Sequence, residues 1–181
     1  MDLQTSRLRL RELTAADLDA VHRLHSLPEV DEFNTLGMPA DVATTERLLA
    51  EWLAQQLATP RTAYVFGAQR LDSPEFVGLV ALTLGKAAFH NGEVWYKLMP
   101  AHWGQGLATE ALRALVRFGF DRLGLHRLEA GCAVENAASA RVLEKAGLTR
   151  EGRKRQVLPI RGAWVDNYFY AVLATDTPPA G

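Results

Sequence analysis

The stretch that most constrains this chain is Ala101-His102-Trp103-Gly104-Gln105-Gly106-Leu107-Ala108-Thr109-Glu110-Ala111-Leu112. Before it, the apolar run Val94-Trp95-Tyr96-Lys97-Leu98-Met99 ends at Pro100. After the two glycines, Ala108, Ala111, Leu112, Leu115, Val116, Gly119 and Phe120 recur at helical spacing. The order is therefore strand, glycine-bearing turn, helix. Gly104 and Gly106 lack a Cβ, so the backbone there can take unusual dihedrals and come close to a ligand. The first N–H groups of the helix have no internal partner and sit at the positive end of its dipole. Together they form a phosphate cradle that needs neither metal nor lysine. Gly-x-Gly also occurs in ordinary tight connections, so the two glycines alone are a weak signal.

Composition narrows the classes. The chain has 181 residues, 48% of them hydrophobic and 23% charged, which suits one globular domain over residues 1–181. Net charge is −1 with no basic run, so a nucleic-acid partner is not expected. No apolar stretch reaches membrane-spanning length, and the start lacks the apolar core of a signal peptide. The single cysteine, Cys132, rules out an internal disulfide and suits a reducing cytoplasm. Thr175 to Gly181 reads as a disordered tail.

Along the chain, Leu8 and Leu10 alternate with Arg7, Arg9 and Arg11 as in a half-buried strand. Thr14-Ala15-Ala16-Asp17 then has the signature of a capped helix start, with Leu18, Val21 and Leu24 or His25 as the apolar face. Leu27 to Ala43 is turn-rich; its acids Asp31 and Glu32 could attract a cationic amine, but read first as a solvated loop. A helix from Thr44 or Thr45 to about Leu57 follows. Strands are expected at Ala63 to Gln69, Phe76 to Leu84 and Val94 to Met99, with Gly85 to Gly92 as the last hairpin loop. Helix 108–123, capped by Gly124, leads to a strand from Arg127 to Val134. A short helix between Asn136 and Gly147 precedes strands Leu148 to Val157 and Ala163 to Leu173, joined by Leu158 to Gly162. A strand meander followed by helix and strand predicts an α+β layout, a mixed sheet with helices on its faces.

Two stretches carry a more specific likeness. Trp103-Gly104-Gln105-Gly106-Leu107-Ala108-Thr109 resembles the acetyl-CoA pyrophosphate loop of the GNAT acetyltransferases, with the aromatic-Gly-x-Gly form common in the RimJ/RimL-like branch. Asn136-Ala137-Ala138-Ser139, continuing through Val142-Leu143-Glu144-Lys145-Ala146-Gly147-Leu148, resembles the second signature of the same family. Thr5 to Asp17, Gly92 to Pro100 and Trp164 to Leu173 also resemble segments of that branch, so the likeness spans nearly the whole chain.

The resemblance implies a GNAT fold: a mixed, largely antiparallel central sheet of about seven strands with helices on both faces. It implies acetyl-CoA as cosubstrate, no metal, and a primary amine as acceptor, with a homodimer by analogy. The favoured acceptor is the α-amino group of a protein or peptide; polyamines, amino acids and aminoglycosides remain alternatives, because a fold does not name an acceptor. A non-catalytic acetyl-CoA-binding module is the further alternative, against which the presence of both Glu93 and Ser139 speaks. Trp103, Gly104, Gln105, Gly106, Leu107, Ala108 and Thr109 would hold the pyrophosphate, and Asn136 the pantetheine arm. The amides of Leu98 and Met99 would face the thioester, and Ser139 would serve the departing sulfur. Glu93 would be the general base, since the attacking ammonium must lose a proton. A solvated edge glutamate is the plain alternative, and His90 and His102 are weaker rivals. Cys132, in an apolar strand, reads as a core residue rather than a nucleophile. Arg141 and Lys145 read as solvated rather than bound to an adenosine phosphate.

Overall fold

The computed structural model describes residues 1–176, and a single sheet organises them. The chain starts with a three-residue strand β1 (Asp2–Gln4), antiparallel to β2 (Leu8–Glu12). A 3-10 turn and α1 (Leu18–His25) follow. The expected capping box is present: Asp17 Oδ2 accepts from Thr14 N–H (2.7 Å) and from its hydroxyl (3.1 Å). The turn-rich segment holds a four-residue helix α2 (Pro28–Asp31). The next helix, α3 (Val42–Leu57), begins earlier than Thr44, because Asp41 Oδ1 caps it by accepting from Thr44 N–H at 2.8 Å.

Then come β3 (Ala63–Arg70), β4 (Phe76–Leu84) and β5 (Asn91–Leu98), all antiparallel neighbours. β5 starts three residues before the expected Val94, which puts Glu93 inside the strand. The glycine turn opens α4 (Leu107–Asp121), which leads through Gly124, at φ 64°, into β6 (Arg127–Ala133). The short helix α5 (Ala137–Lys145) and the hairpin of β7 (Thr149–Ile160) and β8 (Ala163–Leu173) complete the fold. The hairpin turn is only Arg161-Gly162, at φ 50° and 78°, the left-handed pair that a two-residue turn requires. Pro159, expected in a longer loop, is tolerated because β7 is an edge strand.

The sheet order is β1-β2-β3-β4-β5-β6-β8-β7, and only β5 and β6 run parallel. It has eight strands where about seven were expected, the addition being β1, too short to show an alternation. One face packs Leu10, Phe66, Val80, Val94 and Leu128 under α4 and α5. The other packs Leu13, Val65, Leu79 and Met99 under α1 and α3. The alternation of β5 therefore sends Val94, Tyr96 and Leu98 to the α4 side and Glu93, Trp95 and Lys97 to the opposite side. Of the tail expected to be disordered, Thr175 and Asp176 form a turn in which Asp176 Oδ2 accepts from Leu173 N–H at 2.8 Å. Residues 177–181 lie outside the described residues. No helix among the described residues is long and apolar enough to cross a membrane.

Candidate active site at the fork of two strands

β5 and β6 pair over only three rungs, Asn91↔Arg127, Gly92↔Leu128 and Glu93↔Glu129, although both strands continue beyond. Past Glu93 they part, and the inner edge of β5 has no strand beside it. Met99 N–H donates to Val77 O at 2.9 Å, so its backbone faces β4. Backbone groups alternate along a strand, so the Leu98 amide faces the fork. The Leu98 carbonyl confirms that direction by accepting from the Trp103 indole N–H at 2.8 Å. Of the two expected amides, that of Leu98 is therefore presented to the fork, whereas that of Met99 is spent within the sheet.

The glycine turn lies just beyond. Gly104 and Gly106 have φ of 71° and 75°, which a side chain would strain. No side chain caps α4, so its leading N–H groups are left for an anion. Leu107 is buried at 1% exposure, so at that position the backbone is what a ligand can meet. Gln105 folds back onto Ala101 O (2.8 Å), and its own carbonyl accepts from Arg7 Nη1 (2.9 Å). Trp103 is half exposed and braces the turn against Leu98. Ala108 packs on the core, whereas Thr109 faces an open pocket of about 530 Å³. Arg7, Gly106, Arg113, Arg117 and Lys145 also line that pocket, so Lys145 stands beside the glycine turn rather than apart from it.

Glu110 orders this end in a way the sequence had not suggested. Its carboxylate accepts from Thr5 Oγ1 (2.5 Å), Ser6 Oγ (3.0 Å), Arg7 N–H (2.8 Å) and Arg7 Nε (2.6 Å). The loop between β1 and β2 is thereby fastened to the first turns of α4, and Arg7 to the glycine turn.

On the other side of the fork, Asn136 Oδ1 accepts from Ser139 N–H at 3.0 Å, capping α5 as expected. The Ser139 hydroxyl lies 2.8 Å from the Tyr96 hydroxyl, a contact that runs from β5 to α5. Burial above all pushes the Tyr96 phenol up to about 12. Cys132 is buried beside Ser139, and burial likewise pushes its thiol up to about 11, against a nucleophilic role.

Glu93 reaches solvent on the face opposite α4, yet the surrounding protein desolvates it and raises its carboxyl above the ordinary range; the Glu129 carboxylate adds to this. Lys97, four residues on along the same face, is pushed down to about 8 by burial, with Asp31 opposing. His25 is 3% exposed beside it, and burial followed by the Lys97 charge pushes it down to about 4. Asp31 is not the solvated loop residue expected: it is buried, accepts from Asn34 Nδ2 at 3.2 Å and lies 3.8 Å from Arg161 Nε. Glu32 is exposed as expected. His90 forms a turn at φ 46°, and His102 Nε2 lies 3.4 Å from Glu75 Oε1.

Sequence reading had missed Tyr96, Lys97 and Glu129. Strand alternation could have found Lys97, because a lysine between Tyr96 and Leu98 in an apolar run must point inward or into a cleft. Glu129 and Tyr96 gain meaning only from strand pairing and the α5 crossing. No group of three or more His, Cys, Asp and Glu side chains among the described residues could hold a metal.

Residues 7–149 match the acetyltransferase (GNAT) domain family. The N-acetyltransferase YoaA of Bacillus subtilis is 29% identical over 171 residues, 94% of this chain and 96% of that one. The [ribosomal protein uS5]-alanine N-acetyltransferase of Escherichia coli is 29% identical over 119 residues, 65% of this chain and 61% of that one. Among solved structures, Mycobacterium smegmatis RimJ in complex with CoA-disulfide superposes with a TM-score of 0.86 at 25% identity, covering 99% of this chain and 89% of that one. Spermidine N-acetyltransferase from Vibrio cholerae, in complex with CoA and spermine, gives 0.83 at 22% identity, covering 94% and 97%.

Proposed function

The chain belongs to the GNAT acetyltransferase family, and we propose that this acetyl-CoA-dependent N-acetyltransferase acts on the N-terminal α-amino group of a protein or peptide. The observation that carries the site assignment is the fork itself. It leaves the Leu98 amide without a strand partner, with Glu93 at the last paired rung and Tyr96 reaching across to Ser139, which supports this reading.

In this reading the pyrophosphate of acetyl-CoA rests on the backbone from Gln105 to Thr109, and Asn136 steadies the pantetheine arm. Arg7, Arg113, Arg117 and Lys145 add positive charge around the adjoining pocket. The Leu98 amide donates to the thioester oxygen and stabilises the charge that develops there on attack. Glu93 takes the proton of the attacking amine, directly or through water, its raised carboxyl being a better base for the purpose. Ser139 hydrogen-bonds the departing sulfur. Holding both reactants in one cleft supplies the larger share of the rate.

The α-amino group is favoured first by its own chemistry. It deprotonates near 8, more readily than a lysine-type amine near 10. Lys97, on the same face of β5 as Glu93, also adds a cation there, which works against a polycationic acceptor. The E. coli relative is named for acting on the alanine of a ribosomal protein, which is the same class of acceptor.

The test is thiol release from acetyl-CoA with peptides bearing free N-termini, N-terminally blocked lysine peptides, polyamines and aminoglycosides offered separately. Release with free N-termini and none with blocked peptides is the expected result. Release confined to polyamines or aminoglycosides would overturn the acceptor assignment and leave the acetyltransferase chemistry intact.

A further inference from the structure

Tyr96 comes from β5 and Ser139 from α5, on opposite sides of the fork, and their hydroxyl oxygens lie 2.8 Å apart. A serine hydroxyl has one hydrogen and rotates to suit its neighbours, so which partner receives that hydrogen decides what the residue can do. Ser139 is fixed in place through its backbone N–H, held by Asn136 Oδ1 at 3.0 Å. Its hydroxyl has two protein neighbours, Tyr96 and Cys132.

The phenol is the more acidic of the two hydroxyls in contact and hence the better donor. Ser139 Oγ is its one hydrogen-bond partner among the described residues. Burial pushes the phenol up to about 12, which favours the protonated form that can donate. Cys132 is a weak acceptor, and as a buried neutral thiol it holds the serine hydrogen only loosely. The 2.8 Å contact admits either hydroxyl as donor; the greater acidity of the phenol favours Tyr96 O–H to Ser139 Oγ, which leaves the serine hydrogen for a third group.

We propose that Tyr96 is a positioning residue for acetyl transfer, which by donating to Ser139 Oγ commits the Ser139 hydrogen to the sulfur of CoA. This rests on the reading of Ser139 given above. As the carbon–sulfur bond of the tetrahedral adduct breaks, its electron pair goes to sulfur. The Ser139 O–H then points at that charge, and a charge-assisted hydrogen bond is stronger than a neutral one. Neither hydroxyl loses its proton; the sulfur gains the proton that the amine released, by way of solvent. A chain of hydrogen bonds polarised in one direction strengthens each link.

The experiment is a titration of the thiol of CoA bound to the protein, followed by the ultraviolet absorbance of the thiolate, with bound desulfo-CoA as the reference that subtracts Cys132. Wild type, Tyr96→Phe and Ser139→Ala are compared, together with their turnover. Both variants are expected to move thiolate formation to higher pH. Tyr96→Phe is also expected to lower kcat roughly 3- to 10-fold, the worth of one polarising hydrogen bond, with the KM for acetyl-CoA unchanged. The double variant is expected to be no worse than Ser139→Ala alone, because both changes remove one interaction. A shift with Ser139→Ala and none with Tyr96→Phe would overturn the role of Tyr96 alone. No shift with Ser139→Ala would overturn the reading of Ser139 itself.

Discussion

Glu93 of β5 and Glu129 of β6 stand opposite each other at the last rung of the parallel ladder, where the two strands begin to part. Burial above all raises the Glu93 carboxyl, and the facing Glu129 charge raises it further. Glu129 is held by Arg127, its Oε1 accepting from Nε at 2.7 Å, and Arg127 in turn pairs with Glu151. Arg127 thus holds a carboxylate beside the proposed base.

Replacing Glu129 with Gln is therefore expected to lower the pKa of Glu93. The acid limb of the kcat/KM profile should then move to lower pH, with the plateau rate reduced because a weaker base is at work. Glu93→Gln is expected to cut turnover on the order of 10²-fold while calorimetric affinity for CoA stays unchanged. An acid limb that stays in place in Glu129→Gln would break the link between the two carboxylates.

Gly106 sits at φ 75° at the head of α4, and an added Cβ would meet Arg7 Nη2 at 3.5 Å, ordinary contact distance. Steric crowding by protein is thus not the constraint; the left-handed backbone and the room needed by a ligand are. A β-branched side chain there costs at least about 1–2 kcal/mol of backbone strain. Gly106→Val is expected to abolish measurable CoA binding while the folded spectrum persists. Tight CoA binding by that variant would remove the glycine turn from the site.

Glu110 holds three consecutive residues, Thr5, Ser6 and Arg7, onto α4. With Glu110→Ala, these donors lose a partly buried charged partner, at about 1–3 kcal/mol. The melting temperature is expected to fall by roughly 5 °C, and the KM for acetyl-CoA to rise because Arg7 no longer steadies Gln105. A drop in stability with no change in KM would confine Glu110 to a structural role.

Much of this was legible in the chain, and the rest was hidden for identifiable reasons. Alternation and helical spacing report local geometry, which is why β4, α4 and the cap at Asn136 appear where expected. The glycine turn is legible because its chemistry is backbone chemistry at adjacent positions. The reading faltered where local signals are short or overridden, as at β1, or where Pro159 suggests a loop although an edge strand tolerates it. It also faltered where two distant segments must meet. The pairing of Glu93 with Glu129 depends on a parallel register, and that of Tyr96 with Ser139 on α5 crossing the fork. The Met99 amide was misassigned because which edge of β5 an N–H faces follows from its pairing with β4, not from its place in a motif.

His25 offers the clearest test of the acid response of the fold. It is 3% exposed, its Nε2 has no partner, and its ring lies 6.1 Å from that of Trp52. Burial first, then the charges of Lys97 and His22, hold its pKa near 4 against an ordinary value of 6.5. Between those two values the unfolded chain binds a proton that the folded chain does not. Stability therefore rises with pH across that window and is lost as pH falls from about 6.5 toward 4. By pH 4.5 this one residue accounts for about 2 kcal/mol of lost stability. Phenylalanine keeps the aromatic packing on Trp52, removes the unpartnered nitrogen and cannot take up a proton. His25→Phe is expected to match or exceed wild-type stability at pH 7. Between pH 7 and 4.5 it should lose about 2 kcal/mol less than wild type in urea unfolding. Carboxylates held by ion pairs, such as Asp17 with Arg11, titrate in both proteins and cancel in the comparison. Equal losses in the two proteins would mean that folding does not shift the protonation of His25.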